Sequence, residues 1–217
     1  MIRMYGFWRS AAAFRVRIAL NLKRLAYEEI MIDLDAGEQN RPEYRAVNPQ
    51  EVVPSVIIDD APPLYESVAI IEYLDEIYRD PPLLPADARG RARVRSLGLI
   101  YAADHHPLIV PRIRRYLAET VGVDEAGRTA WIRHWFAEGL RIGEARLAAE
   151  AETGVFCHGD TPSLADLCLM SQAMGARGFG IDLATWPVTA RIVAACLARE
   201  EFARALPLRQ KGAPAAH

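Results

Sequence analysis

Cysteine is scarce in this chain. Its 217 residues hold three, Cys157, Cys168 and Cys196, and no two form a C-x-x-C pair. An odd, scattered set excludes a disulfide framework and argues against a thiolate zinc site. The five histidines lack ligand spacing, because His105 and His106 are adjacent and adjacent side chains do not share a helix face. A charge excess is missing too: 26 Lys and Arg stand against 28 Asp and Glu, a net charge of -2. Without a basic bias, neither a nucleic-acid nor a membrane-surface partner is expected. No apolar run approaches the roughly 18 residues that read as a membrane span. The opening MIRMYGFWRS lacks the basic-then-apolar order of a signal peptide, so a cytoplasmic location is expected.

What is present is an ordinary globular composition, long for one compact domain and comfortable for two. Residues 2–7 are rich in β-formers and read as a strand. Ser10 then stands at an N-cap position before AAAFRVRIALNLK, where Ala12, Val16, Ala19 and Leu20 recur at helical spacing. Residues 27–34 read as a second strand, completing a βαβ unit with parallel strands. A polar loop over 36–50 leads to a strand at 55–58, a turn, and a short strand at Leu64–Tyr65. A helix follows from Ser67, with Ser67 as its cap and Val68, Ile71 and Leu74 in one apolar stripe. This order predicts an N-terminal α/β thioredoxin-like domain over residues 1–80. The run DPPLLPADA marks a linker at 81–89. Residues 90–217 carry only helical periodicity, over 91–116, 124–150, 163–176 and 187–203, and predict an all-α domain. The Pro- and Ala-rich tail over 207–217 is expected at the surface or disordered.

Some residues could carry chemistry. A helix N-terminus gathers unpaired N–H groups and partial positive charge, so Ser10 stands where an anion such as a thiolate is favoured. It could equally be a plain capping serine. Arg9, Arg15 and Arg17 could serve an anionic substrate, or the last two could be a solvated helix face. Pro54 opens a strand; a cis Val53–Pro54 bond would leave the Val53 backbone free to pair with an extended peptide, whereas a trans bond would be an ordinary loop. Glu66 and Ser67 could hold the ammonium and carboxylate of an α-amino acid, or simply cap a helix. Ser163 and Asp166 have the spacing of a capping box, a structural role.

The order of these signals is more specific than any one of them. WRSAAAFRVRIALNLK, NPQEVVPSV, YESVAIIEYLDE, LLPADARGRARVR, HPLIVPRIRRYL and FCHGDTPSLADLCLMSQ together resemble the zeta-class glutathione transferases, a class that includes maleylacetoacetate and maleylpyruvate isomerases. The resemblance runs over about residues 5–209 and implies the two-domain glutathione transferase fold, a homodimer and glutathione as cofactor. It implies that Ser10 faces the glutathione sulfur and that Val53, before a cis Pro54, pairs with its cysteinyl backbone. Glu66 and Ser67 would hold the γ-glutamyl end, and Gln39 would lie near the glycyl end. Arg9 would help hold a small acidic substrate, with His106 and Arg112 on the helical-domain side of the cleft. The implied activity is cis–trans isomerisation of a maleyl keto-diacid in aromatic catabolism.

Three places depart from the family pattern. Ala11, Ala12 and Ala13 replace a polar run after Ser10. Ile109 and Val110 stand where Asn or Gln is frequent. Gly178 occupies the usual position of an arginine, leaving Arg177 one residue early as the substrate candidate. These changes favour two alternatives: a transferase for a more apolar electrophile, or a non-catalytic glutathione-binding protein.

Overall fold

The computed structural model describes residues 1–214. The chain divides into two compact units, Met1–Leu83 with the stretch from Ala198 onward, and Leu84–Leu197. The first unit contains β1 (Ile2–Gly6), β2 (Tyr27–Met31), β3 (Ser55–Ile58) and β4 (Leu64–Tyr65) in one sheet of order β2-β1-β3-β4. β1 is parallel to β2, with Tyr5 opposite Ile30, and antiparallel to β3, with Tyr5 opposite Ser55; β4 is antiparallel to β3. A parallel pair needs a crossover, and α1 (Ala11–Leu22) supplies it. A short α2 (Pro42–Arg45) precedes β3, and α3 (Ser67–Ile77) follows β4. The predicted thioredoxin-like order is therefore the one observed.

Spacing predicted an amphipathic α1, but every residue from Ala13 to Leu20 is buried. The helix packs against α3 and against α9 (Glu200–Ala205). Asn21 Nδ2 donates to the Glu201 carbonyl at 2.9 Å, and Phe202 is fully buried. These contacts explain why the stretch from Ala198 groups with the first unit, although its sequence reads as part of the helical domain. At the C-cap of α1, the buried Lys23 ammonium donates to Asp75 at 2.5 Å and to the Tyr78 and Pro81 carbonyls at 2.6 Å. Its three protons meet three acceptors and fasten the chain beyond α3.

The second unit is built from α4 (Ala88–Leu99), α5 (Pro111–Glu119), α6 (Glu125–Ala149), α7 (Leu164–Gly178) and α8 (Pro187–Leu197). The single helix expected over 91–116 is broken. α4 gives way to a π-turn at Ile100–His105 and a 3-10 turn at His106–Leu108 before α5 starts. Pro107 and Pro111 have no N–H to continue a helical ladder, and Pro111 disfavours helical geometry in Val110, which is extended at ψ 158°, so the chain restarts at α5. The helix expected over 187–203 is likewise two. Arg199 is extended, and the acidic pair Glu200 and Glu201 suits the fresh N-terminus of α9.

α7 is the central helix of this unit, buried from Leu164 through Ala173. Its capping box is present as the spacing predicted, with Asp166 accepting from the Ser163 N–H and hydroxyl, each at 2.8 Å, and from the Cys157 N–H at 2.8 Å. α6 crosses the π-turn closely because of Gly143: a β-carbon there would stand 1.9 Å from the Tyr101 hydroxyl. Among the described residues no helix is long and apolar enough to cross a membrane. Residues 215–217 of the expected tail lie outside the described residues.

Candidate active site

The first unit presents the N-terminus of α1 through a tight turn. Ser10 is extended, at φ -67° and ψ 118°, and its hydroxyl accepts from the Ala13 N–H at 3.2 Å. Its own N–H donates to the Phe7 carbonyl at 3.0 Å. A hydroxyl has one proton and two lone pairs, so the cap bond leaves the proton available to a ligand. The N–H groups of Ala11 and Ala12, in the first turn, have no intrahelical acceptor. One hydroxyl and two amides at the positive end of a twelve-residue helix are donors that favour an anion there. The alanines remove side-chain partners but no backbone donor. Arg9 is exposed beside it, ion-paired with Asp35 and lying 5.5 Å from the Phe7 ring centroid.

The segment before β3 is held from beneath. Tyr44 is buried with Phe7, Ile32 and Val53 in one apolar cluster. Its hydroxyl donates to the Val52 carbonyl at 2.7 Å, and Asn48 Nδ2 reaches the same oxygen at 2.8 Å. Burial raises the Tyr44 phenol, while its bonds to Ser55 and Asn48 act the other way. With Val52 doubly pinned, the next residue is fixed in direction. The Val53–Pro54 bond is cis, and among the described residues no backbone hydrogen bond engages Val53.

At the start of α3 the expectation needs a correction. Glu66, not Ser67, is the N-cap, and Ser67 is the first helical residue. Glu66 sits at φ 62°, a region costly for a residue with a β-carbon and one that clusters at ligand sites. Its side chain makes no cap bond and is exposed. Ser67 is buried, and its hydroxyl accepts from Arg15 Nη1 at 2.9 Å, which directs its own proton elsewhere. Gln39, in the 3-10 turn Glu38–Asn40, has a buried side-chain oxygen with no partner among the described residues. A buried amide oxygen without a partner is uncommon and asks for an explanation.

The first unit thus holds Arg9, Ser10, Gln39, Val53, Pro54, Glu66 and Ser67. The remaining candidates belong to the second unit. His106 opens the 3-10 turn and is half-buried; its neighbour His105 is buried, with Nδ1 2.6 Å from the Ile100 carbonyl. Arg112 is exposed on α5, and Arg177 is exposed in the last turn of α7. Ile109 is buried, and Val110 is the N-cap of α5. Sequence reasoning missed two supports, Tyr44 and Asn48, and offered Arg15 and Arg17 as substrate cations or a solvated face, not as buried supports. Both arginines are buried, so α1 has no solvated arginine face there.

The family profile described as the glutathione S-transferase N-terminal domain matches residues 4–82. A maleylpyruvate isomerase from Ralstonia is 44% identical over 209 residues, covering 96% of this chain and 98% of the relative. The chain belongs to the zeta-class glutathione transferases, the family of the maleylacetoacetate and maleylpyruvate isomerases. A solved zeta-class maleylpyruvate isomerase in its holo form superposes with TM-score 0.94 at 43% identity, over 98% of this chain and all of that one (100%). A maleylacetoacetate isomerase from Methylobacterium extorquens AM1, solved with malonate and glutathione bound, superposes with TM-score 0.96 at 53% identity, over 98% of this chain and 100% of the other. The fold of this zeta-class protein is the two-domain glutathione transferase fold.

Proposed function

We propose that the protein is a glutathione-dependent isomerase that converts a maleyl keto-diacid, maleylacetoacetate or maleylpyruvate, from the cis to the trans form. The observation that carries the reading is the α1 N-terminus, where Ser10 caps the helix with its hydroxyl oxygen and its proton is left to a ligand beside the first-turn amides of Ala11 and Ala12. The residues of the first unit fit glutathione, a γ-glutamyl-cysteinyl-glycine peptide. Its cysteinyl backbone would pair with Val53, whose own backbone groups make no backbone hydrogen bond among the described residues. Its γ-glutamyl ammonium would meet the exposed Glu66 carboxylate, and its α-carboxylate the Ser67 hydroxyl and the first amides of α3. Gln39 would turn its amide, whose buried oxygen has no partner among the described residues, to the glycyl end; the amide's O and N can exchange places by a flip.

Bound glutathione supplies a thiolate nucleophile, whose addition to the cis double bond and later departure permit rotation. Ser10 and the α1 amides stabilise the charged sulfur and so raise the thiolate fraction near neutral pH. Arg9 contributes positive charge, moderated by its pair with Asp35, and Arg112, His106 and Arg177 are the candidates in the second unit for the substrate carboxylates. The malonate found with glutathione in the Methylobacterium relative supports a diacid. A cytoplasmic homodimer acting in aromatic catabolism completes the proposal.

Ile109 and Val110, apolar at the start of α5, favour a second reading, a transferase conjugating or dehalogenating a more apolar electrophile. A substrate panel followed by glutathione consumption separates the two. Isomerisation returns all glutathione, whereas stoichiometric loss would establish conjugation. Glutathione binding with no turnover on any substrate would leave a binding protein.

A further inference from the structure

We infer that Arg17 is a positioning residue for Ser10, an assignment that rests on the reading of Ser10 as the thiol's partner. The Arg17 side chain is wholly buried beneath the turn that carries Ser10. Its Nη2 donates to the Phe7 carbonyl at 2.8 Å, the same oxygen that accepts the Ser10 N–H at 3.0 Å, and its Nη1 approaches the Trp8 carbonyl at 3.4 Å. The other edge of the guanidinium holds Glu29 of β2, with Nε 2.9 and 3.1 Å from the two carboxylate oxygens and Nη2 at 2.5 Å. A planar fork can grip a carboxylate and two carbonyls at once; a lysine ammonium cannot.

Two neighbouring features serve this grip. Glu29 lies opposite Met4 in the sheet register and reaches over the end of β1 to Arg17. Gly6 leaves the path open, since a β-carbon there would stand 2.4 Å from the Glu29 carboxylate oxygen. The turn from Phe7 to Ser10 is therefore tied to β2 through one cation. Because the shared acceptor is the Phe7 carbonyl, a shift of Arg17 moves the backbone that aims the Ser10 hydroxyl.

The test compares Arg17→Met with the double variant Arg17→Met/Glu29→Gln. The single change strands a partly buried carboxylate and lowers stability; the double change removes both charges and restores much of it. Urea unfolding reads stability, the ultraviolet absorbance of the thiolate reads the titration of bound glutathione, and steady-state kinetics separate kcat from KM. In the double variant we expect near wild-type stability, a bound-thiol midpoint about 1 pH unit higher, and kcat/KM down roughly tenfold with little change in the KM for glutathione. A double variant that regains stability and the wild-type thiol midpoint and kcat together would make Arg17 a packing residue only and overturn the assignment. A wild-type protein that leaves the glutathione thiol at its solution midpoint would overturn the Ser10 reading itself.

Discussion

Replacing Ser10 with alanine separates the two tasks of its hydroxyl. The first task is local: the oxygen caps the Ala13 N–H at 3.2 Å, and losing a serine N-cap costs about 1 kcal/mol. For a chain of this size that lowers Tm by about 2–4 °C. The second task is catalytic: the proton donates to the thiolate. A hydrogen bond to a charged group contributes about 1.5–3 kcal/mol, so its loss lowers kcat/KM roughly tenfold to a hundredfold. The amides of Ala11 and Ala12 remain, so activity persists at a reduced level and the bound thiol titrates higher. The KM for glutathione changes little, because Val53, Gln39, Glu66 and Ser67 are untouched. Ser10→Thr keeps oxygen and proton and should retain most of both. The assay is isomerase kinetics at several glutathione concentrations, with thermal unfolding on the same samples. An alanine variant with wild-type kcat/KM refutes the reasoning. A variant impaired only in the KM for glutathione would make Ser10 a binding group.

Gln39→Leu removes a buried amide oxygen that has no partner among the described residues. It should leave the free protein as stable as wild type, or more so, while calorimetry shows glutathione affinity roughly tenfold weaker. Asp166→Ala strips the acceptor from the Cys157 and Ser163 N–H groups. Two buried donors left unpaired lower stability by about 3 kcal/mol or more in urea unfolding. Glu150 lies between Arg93 and Arg146, at 2.6 and 2.7 Å. Burial raises its carboxyl, but the hydrogen bonds and charges of the two arginines outweigh that and hold it below the ordinary glutamate value. The unfolded chain therefore binds this proton more tightly, and the stabilisation is complete above about pH 4.3 and lost as pH falls through the folded value. Glu150→Gln should cost about 1–2 kcal/mol near neutral pH, a gap that closes in unfolding curves taken in acid.

Much of the first unit was legible because its signals are local. The β3 and β4 segments fall where β-formers and turn residues mark them, and ESVAIIEYL carries α3 in its spacing. The capping box of Ser163 and Asp166 is a four-residue pattern and stands as read. The supports of the site were not legible, because their meaning depends on distant partners. A charged residue on a helix reads as solvated, yet Arg15 meets Ser67, 52 positions on, and Arg17 meets Glu29, 12 positions on. The stretch after Ala198 carries ordinary helical periodicity, and only Asn21, 180 residues away from Glu201, reveals where it packs. The break before α5 was readable in Pro107 and Pro111, but apolar periodicity across them suggested continuity.

The central claim is tested most directly by incubating the protein with maleylpyruvate and with maleylacetoacetate, with and without glutathione, and following the trans isomer. The account predicts turnover well above background only when glutathione is present, with all glutathione recovered at the end. Equal rates with and without glutathione, or no turnover of either substrate by protein that binds glutathione, would contradict it.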